Sequence, residues 1–231
     1  MKTARFSVLA SACLLLSAAV ADEPFNGRDL ASWQTRQEAK GKDCWTVGAV
    51  VLDAADPHRL AVTPGGSAMV NLTPAHGGSW DIATKQKWGG TVHIEVELMV
   101  PQGSNSGIYV MGEYEVQVLD SYGKADKDLT AGDIGAVYSA AVPRKNAAKK
   151  PGEWQKFVID FQAPAFDGAG KKTANGKFLK VELNGVVLHE NLEIKGPTPG
   201  GLTGQEHAEG PLMFQGNHGP VAYRNVKVTA R

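Results

Sequence analysis

Two short stretches of this chain carry side chains suited to acid–base work at spacings a sheet would display. In "YEVQVL", Tyr114 to Leu119, Glu115 and Gln117 alternate with Val116 and Val118. Successive strand side chains point to opposite faces, so the valines face one way and the carboxyl and amide the other. In "FQGNHG", Phe214 to Gly219, Gln215 shares a face with Met213, and His218 lies in a polar turn flanked by glycines. An imidazole in such a turn is sterically open to act as a general base or as a donor to a sugar. Upstream, Asn105-Ser106-Gly107 reads as a turn whose small polar groups could reach the face of Glu115. Asp120 poses a conflict. Strict alternation buries it with Val116 and Val118, and a buried carboxylate without partners is costly. Either the strand ends or bulges at Leu119, or hydrogen bonds hold Asp120.

Other polar clusters compete for attention. "TVHIEVELMV", Thr91 to Val100, places His93, Glu95 and Glu97 on one face. Carboxylates two apart on a strand have Cα atoms roughly 6.5–7 Å apart, which overlaps the spacing of glycosidase carboxyl pairs. A solvated face of an antiparallel strand, with the charges keeping it wet, is the simpler explanation and the one favoured here. Glu206, His207 and Glu209 could ligate a metal, but they lie in a glycine-rich loop that needs no ion. The segment from Asp167 lacks the acids at loop positions three and five that an EF-hand requires. No HExxH, CxxC, GxSxG or phosphate-cradling loop is present. No cofactor is indicated, and no motif points to a divalent cation.

The elements that must position these groups are strands. Gly (27 residues) and Pro (12) punctuate short runs rich in Val, Ile, Leu and aromatics. Trp45–Leu52, Thr91–Val100, Ser106–Val110, Tyr114–Leu119 and Trp154–Phe161 read as strands. So do Phe178–Leu183, Val186–His189, Pro211–Gln215 and Tyr223–Thr229. Asn184-Gly185 supplies the two positive-φ positions of a type I′ hairpin turn. The helix-like pieces are short, at Lys145–Lys150 and just before Trp33. More than eight strands in one chain imply an all-β sandwich or barrel. Three long loops, Gly123–Asp133, Pro164–Gly176 and Lys195–Gly210, are of the kind that carry function or move.

Residues 1–21 read as a cleavable leader: Lys2 and Arg5, an apolar run from Val8 to Val20, then Ala19-Val20-Ala21 as a peptidase site. The run is too short to span a bilayer, and no later stretch reaches the roughly 18–20 residues needed. Cys13 lies inside the apolar run, which argues against a lipoprotein. The expected mature domain is residues 22–231, in the periplasm or secreted. Removing Lys2 and Arg5 takes the 24 basic side chains to 22, against 24 acidic, a net charge of −2. With no basic patch interleaved with aromatics, nucleic acid is excluded as a partner. Cys44 is then the single cysteine, so no internal disulfide can form, and beside Trp45 it reads as a packing residue.

Six segments together carry a resemblance. They are "FNGRDLASW" (Phe25–Trp33), "WTVGAVVL" (Trp45–Leu52), "SNSGIYVMGEYEVQVLDSYG" (Ser104–Gly123), "PGEWQKFVIDF" (Pro151–Phe161), "VELNGVVLHEN" (Val181–Asn191) and "GPLMFQGNHGPVAYRNVKV" (Gly210–Val228). In order and spacing the chain closely resembles the 3-keto-disaccharide hydrolase domain family. The resemblance implies a concanavalin A-like jelly-roll sandwich of two antiparallel sheets, with its site on the concave face. It also implies an exported protein acting on an oligosaccharide or glucoside oxidised at C3. A ketone at C3 acidifies the C2 hydrogen, so a modest base can remove it. The C1 substituent then leaves by elimination, and water adds to the enone. That route needs a base, an acid and donors to the enolate. Glu115 and His218 are expected as acid and base, in an order that spacing does not fix. Asn105, Gln117 and Gln215 are expected to contact sugar oxygens, and Asp120 to orient or bind hydroxyls. Sandwich glycosidases of the laminarinase type carry Glu-x-Asp-x-Glu on one strand. Here Gln117 replaces the middle acid, which disfavours double displacement. Two other readings stay open. One is a non-catalytic carbohydrate-binding module using Trp80, Trp88, Tyr109, Tyr114 or Tyr122 for stacking. The other is an ordinary glycosidase using Glu95 and Glu97.

Overall fold

The computed structural model describes residues 21–38, 40–73 and 76–230. The expected leader lies outside the described residues, apart from Ala21. The chain is all-β and folds as a concanavalin A-like jelly-roll sandwich of two antiparallel sheets. One sheet has five strands in the order β1 (Trp33–Arg36), β4 (Asp81–Thr84), β15 (Met213–Phe214), β7 (Asn105–Val110) and β8 (Tyr114–Leu119). The other has seven, in the order β13 (Val186–Ile194), β12 (Gly176–Leu183), β9 (Gln155–Gln162), β6 (Thr91–Met99), β16 (Val221–Ala230), β3 (Leu60–Asn71) and β2 (Trp45–Leu52). Two short pairs complete it: β5 (Trp88–Gly89) with β14 (Glu209–Gly210), and β10 (Ala165–Phe166) with β11 (Lys172–Ala174). Among the described residues no helix is long and apolar enough to cross a membrane.

The period-2 pattern places the core. Tyr114, Val116 and Val118 on β8 and Ile108 and Val110 on β7 face Ile94, Val96, Phe157, Ile159 and Phe161 of the larger sheet in one cluster. Phe161 is the keystone, its ring centroid 4.9 Å from that of Tyr114 and 4.8 Å from that of Phe178. A second stack runs from Trp33 through Phe214 to Tyr223, the last pair 3.9 Å apart and nearly parallel. Because Val116 and Val118 are committed to this interior, Glu115 and Gln117 must face outward on the smaller sheet.

Several sequence expectations need correction. Asn105-Ser106-Gly107 is not a turn; it opens β7 and pairs with Val118 and its neighbours on β8. Lys145–Lys150 and the residues before Trp33 are not helical, and the helical piece among the described residues is one 3₁₀ turn at Asp126–Asp128. The Lys145–Lys150 segment runs extended because its backbone is bonded elsewhere, Asn146 N to Asp126 Oδ1 and Lys149 N to Gln155 Oε1. Strands β1, β3 and β4 escaped the sequence reading. In β3 the reason is visible: Pro64-Gly65-Gly66 reads as a loop but forms a bulge. Register jumps there from Gly48↔Ala68 to Ala49↔Thr63, and Gly66 lies so close to Ala49 that a Cβ would sit 2.0 Å from its nitrogen.

The Glu95 and Glu97 cluster lies on the outer face of the larger sheet. Lys156 Nζ lies 2.5 Å from Glu95, Asp160 lies 2.7 Å from His93, and Arg224 Nε lies 2.7 Å from Glu97. The Lys156 ammonium holds Glu95 below the usual carboxylate range. Burial pushes Glu97 up, but hydrogen bonds from Asn225 and Arg224 outweigh it and hold that carboxyl low as well. These are cross-strand pairs on a wet face, each worth about 1 kcal/mol or less.

Truncating Phe161 to Ala removes the ring joining the two sheets. It should lower stability by about 3–5 kcal/mol, read as a lower urea midpoint at unchanged slope.

Candidate functional site

Alternation along the smaller sheet assembles one polar face. Asn105, Gly107 and Tyr109 on β7 lie opposite Leu119, Gln117 and Glu115 on β8. Gln215, just past β15, joins them through its N–H to the Gly107 carbonyl at 2.9 Å. Asn105, Tyr109, Glu115, Gln117 and Gln215, with Tyr138, Pro199, Gly200 and His218, line a cleft of about 200 Å³. The structure therefore brings together Glu115, His218, Asn105, Gln117 and Gln215. Asp120 does not line the cleft. The strand ends at Leu119, and the Asp120 carboxylate accepts the N–H groups of Gly103 (2.9 Å) and Tyr122 (3.3 Å). Both branches of the conflict posed by Asp120 are realised, and its side chain is spent on the turn rather than on the cleft.

Glu115 is 2% exposed. Its Oε1 lies over bare Gly107, where a Cβ would sit 2.2 Å away, and its Oε2 is 2.8 Å from the Tyr109 hydroxyl. Burial pushes the carboxyl up to about 8; the Tyr109 hydrogen bond opposes this, and the nearby Asp81 carboxylate adds to it. Tyr109 has one hydroxyl proton and two acceptors in reach, since the Pro199 carbonyl lies 3.1 Å away. A carbonyl only accepts. With Glu115 protonated, Glu115 donates to Tyr109 and Tyr109 donates to Pro199, so every group in the chain is satisfied.

His218 is placed by a turn with no slack. Gly216 packs against the Trp80 carbonyl, where a Cβ would lie 2.1 Å away, and Gly219 packs against Ser104 Oγ at 2.4 Å on the same construction. The Gly216 N–H donates to buried Asp81 Oδ1 at 2.8 Å. His218 Nδ1 is hydrogen-bonded to Asn217 Oδ1, an oxygen that can only accept. Nδ1 therefore carries the proton and Nε2 presents a lone pair. Burial lowers the imidazole below its ordinary value, and His76, packed edge-on with centroids 4.3 Å apart, lowers it further. The cleft thus holds a carboxyl that keeps its proton and an imidazole that releases one.

Two buried oxygens in the same place lack partners among the described residues, Asn105 Oδ1 and Gln215 Oε1. Such orphans are rare in folded proteins. Both residues line the cleft. The far wall is a loop clamped by Glu113. Its carboxylate accepts Thr203 N and Thr203 Oγ1, both at 2.7 Å, and Gly204 N at 2.9 Å. Thr198 Oγ1 accepts the Glu115 N–H at 2.8 Å, setting Pro199 and Gly200 beside Tyr109. On the other side the Tyr138 N–H donates to the Glu115 carbonyl at 3.1 Å, and Gln117 exchanges backbone bonds with Gly135 and Ala136.

The suggested stacking residues do not form a platform. Trp88, Tyr109 and Tyr114 are buried, while Tyr122 is half exposed and does not line the cleft. Glu206 is engaged by the Tyr114 hydroxyl at 2.7 Å and Lys172 at 2.5 Å. Among the described residues no group of three or more His, Cys, Asp or Glu is arranged to hold a metal.

A family model described as 3-keto-alpha-glucoside-1,2-lyase-like domain matches residues 21–229. The chain belongs to that family. Among solved structures, a "putative glycosyl hydrolase" from Parabacteroides distasonis is 27% identical with a TM-score of 0.66, over 91% of this chain and 84% of that one. Another protein of the same description and organism, 17% identical with a TM-score of 0.55 over 91% and 94% of the two chains, shares the fold. A search of curated proteins returned no match. Family and 27%-identical neighbour together make this a carbohydrate-active domain.

Sequence reasoning missed Glu113, Thr198, Pro199 and Tyr138 as parts of the site, and treated Tyr109 as a stacking residue. Tyr109 was within reach, since it follows Asn105 and Gly107 at period 2 on the strand that pairs with Glu115. Thr198 and Tyr138 come from loops with no periodic signal.

Two expectations follow. The folded Glu115 carboxyl keeps its proton to about pH 8, whereas an unfolded one releases it near 4.5, so this group costs stability as pH rises through that window. Glu115→Gln should therefore be more stable than the wild type at pH 7, by on the order of 1–3 kcal/mol. Equal loss of stability between pH 5 and pH 8 in both proteins would contradict a buried neutral carboxyl. Glu113→Ala should leave two loop N–H groups unmet, costing about 1–3 kcal/mol. It should also speed amide exchange at Thr203 and Gly204 while leaving Ile159 slow.

Proposed function

We propose that this domain cleaves the glycosidic bond of 3-keto-disaccharides or 3-keto-glucosides by elimination across C1–C2, followed by hydration. One observation carries the reading: a buried carboxyl and a part-buried imidazole, whose surroundings favour their neutral forms, line one cleft. Environments that push titratable groups away from their ordinary values in this way mark acid and base roles. His218 is the base, because Nε2 is unprotonated at neutral pH. Glu115 is the acid, because it still holds its proton there.

The steps balance. With the ketone at C3, His218 Nε2 takes the C2 proton and the electron pair moves onto the C3 oxygen as an enolate. The enolate collapses, the C1–O bond breaks, and Glu115 gives its proton to the departing oxygen, leaving an enone. Water then adds to C1 with the Glu115 carboxylate taking a proton, and His218 returns a proton to C2. The amides of Gln117, Asn105 and Gln215 are the available donors for the developing oxyanion. Among the described residues no second carboxylate lines the cleft, which disfavours the carboxyl pair of direct displacement. The family match and the 27%-identical neighbour support a sugar substrate, and removal of residues 1–21 on export fits the leader pattern.

The test is a pH profile of kcat/KM on a 3-keto-disaccharide beside the unoxidised sugar. Raising pH through about 8 ionises Glu115 and removes the acid. Lowering pH through the depressed value of His218 protonates the base. Activity should hold between the two and fall on both sides. Glu115→Gln should lose the alkaline limb, and His218→Ala should lose about 10²–10⁴ in rate. Full turnover by both variants, or equal cleavage of the unoxidised sugar, would refute the proposal.

A further inference from the structure

A second and larger hollow, about 430 Å³, shares His218 with the cleft. The two meet along the chain twice: Ser104 lines one and Asn105 the other, and Gly219 continues from His218 into the larger space. Ser104 Oγ donates to the Pro220 carbonyl at 2.6 Å and ties these two borders together. The cleft alone is smaller than the roughly 300–1,000 Å³ usual for small-molecule sites, whereas the two spaces together fall within that range.

We propose that this hollow is the leaving-group subsite, receiving a hydroxyl-rich second sugar ring attached at C1 of the ring held in the cleft. The inference rests on the elimination reading and deepens it. His218 must touch C2, and C1 is bonded directly to C2. Whatever leaves from C1 therefore begins beside the imidazole that forms the shared wall. The chemistry of the walls selects a sugar over an aromatic group. Among the described residues no Trp, Tyr or Phe lines the hollow, while Asp56, His58, Arg59, Thr73 and Gln102 do. The Arg59 guanidinium and the Gln102 side-chain amide make no hydrogen bond or ion pair with another described residue. His58 is steadied by Nδ1 at 3.0 Å from the Gln102 carbonyl. Donors without partners around a polar hollow match the hydroxyls of a pyranose.

The experiment compares wild type, Arg59→Ala and Gln102→Ala on a 3-keto-disaccharide, an aryl 3-keto-glucoside and methyl 3-keto-glucoside. Both residues are exposed, so the variants should fold with near wild-type stability. Losing a hydrogen bond from the charged guanidinium should lower kcat/KM on the disaccharide about tenfold in Arg59→Ala, and losing one from the neutral amide about threefold in Gln102→Ala, both through KM. The methyl glucoside should be processed unchanged. Equal effects on disaccharide and methyl glucoside, or no effect on either, would overturn the subsite; a loss on the aryl glucoside as large as on the disaccharide would overturn its assignment to a sugar. Calorimetry with the unoxidised disaccharide and methyl glucoside separates this from the catalytic reading. Wild type should prefer the disaccharide and Arg59→Ala should not. No preference in wild type overturns the subsite whatever the turnover. A preference without turnover of any keto-sugar upholds the subsite as a sugar site and overturns the chemistry.

Discussion

The structure turns on the desolvation of one carboxyl. Glu115 is enclosed by Tyr109 directly opposite it, whose one hydroxyl proton is shared between the carboxyl and the Pro199 carbonyl, and by bare Gly107 diagonally across, where no side chain keeps the carboxyl off the backbone. A carboxylate so enclosed would cost several kcal/mol, and the group stays neutral instead. Everything else at the site is consistent with that neutrality. Asp81 lies near enough to raise Glu115 further, yet is itself occupied by the Gly216 N–H and by Arg36 at 3.8 Å. The amides around it offer hydrogen bonds without adding charge.

Rigidity follows from how the walls are tied. The hairpin turn at Met111-Gly112 and the loop from Thr198 to Gly204 are bolted together by Glu113, and Tyr114 reaches through to Glu206 beneath the same loop. On the opposite side, Asp133 gathers Lys124, Thr130 and Ser121. Burial pushes that carboxyl up, but these bonds hold it below the usual range. The cleft is thus built on two strands and braced by two fastened loops, an arrangement that favours a preformed site over one assembled by closure.

The residues that share the cleft were easier to read from the sequence than the loops that brace it. Period 2 in "YEVQVL" and the constrained "GNHG" turn located Glu115, Gln117 and His218, because strand alternation and glycine geometry are local facts. The direction in which each group's pKa moves was not legible, since it depends on burial and on neighbours such as His76 and Asp81 that come from other strands and loops. Asp120 misled for the opposite reason. Its type suggested chemistry, but the backbone N–H groups of Tyr122 in its own turn and of Gly103 from the preceding hairpin arm had already claimed it. Short polar β1 and bulged β3 fell below any pattern, whereas the long apolar strands of the larger sheet were plain.

The bulge in β3 has a bearing on how the protein behaves in solution. A sandwich with many strands exposes rows of unpaired N–H and C=O groups at its margins, which invite other chains to join. Here β2, the last strand of its sheet, is wrenched at Gly48 where the partner carries four extra residues. At the other margin of that sheet, Arg144 N already reaches the Leu188 carbonyl at 3.3 Å on β13. On the smaller sheet, β1 is four residues long and β8 is covered by the segment around Val137. Each border is short, kinked or occupied, which discourages edge-to-edge aggregation.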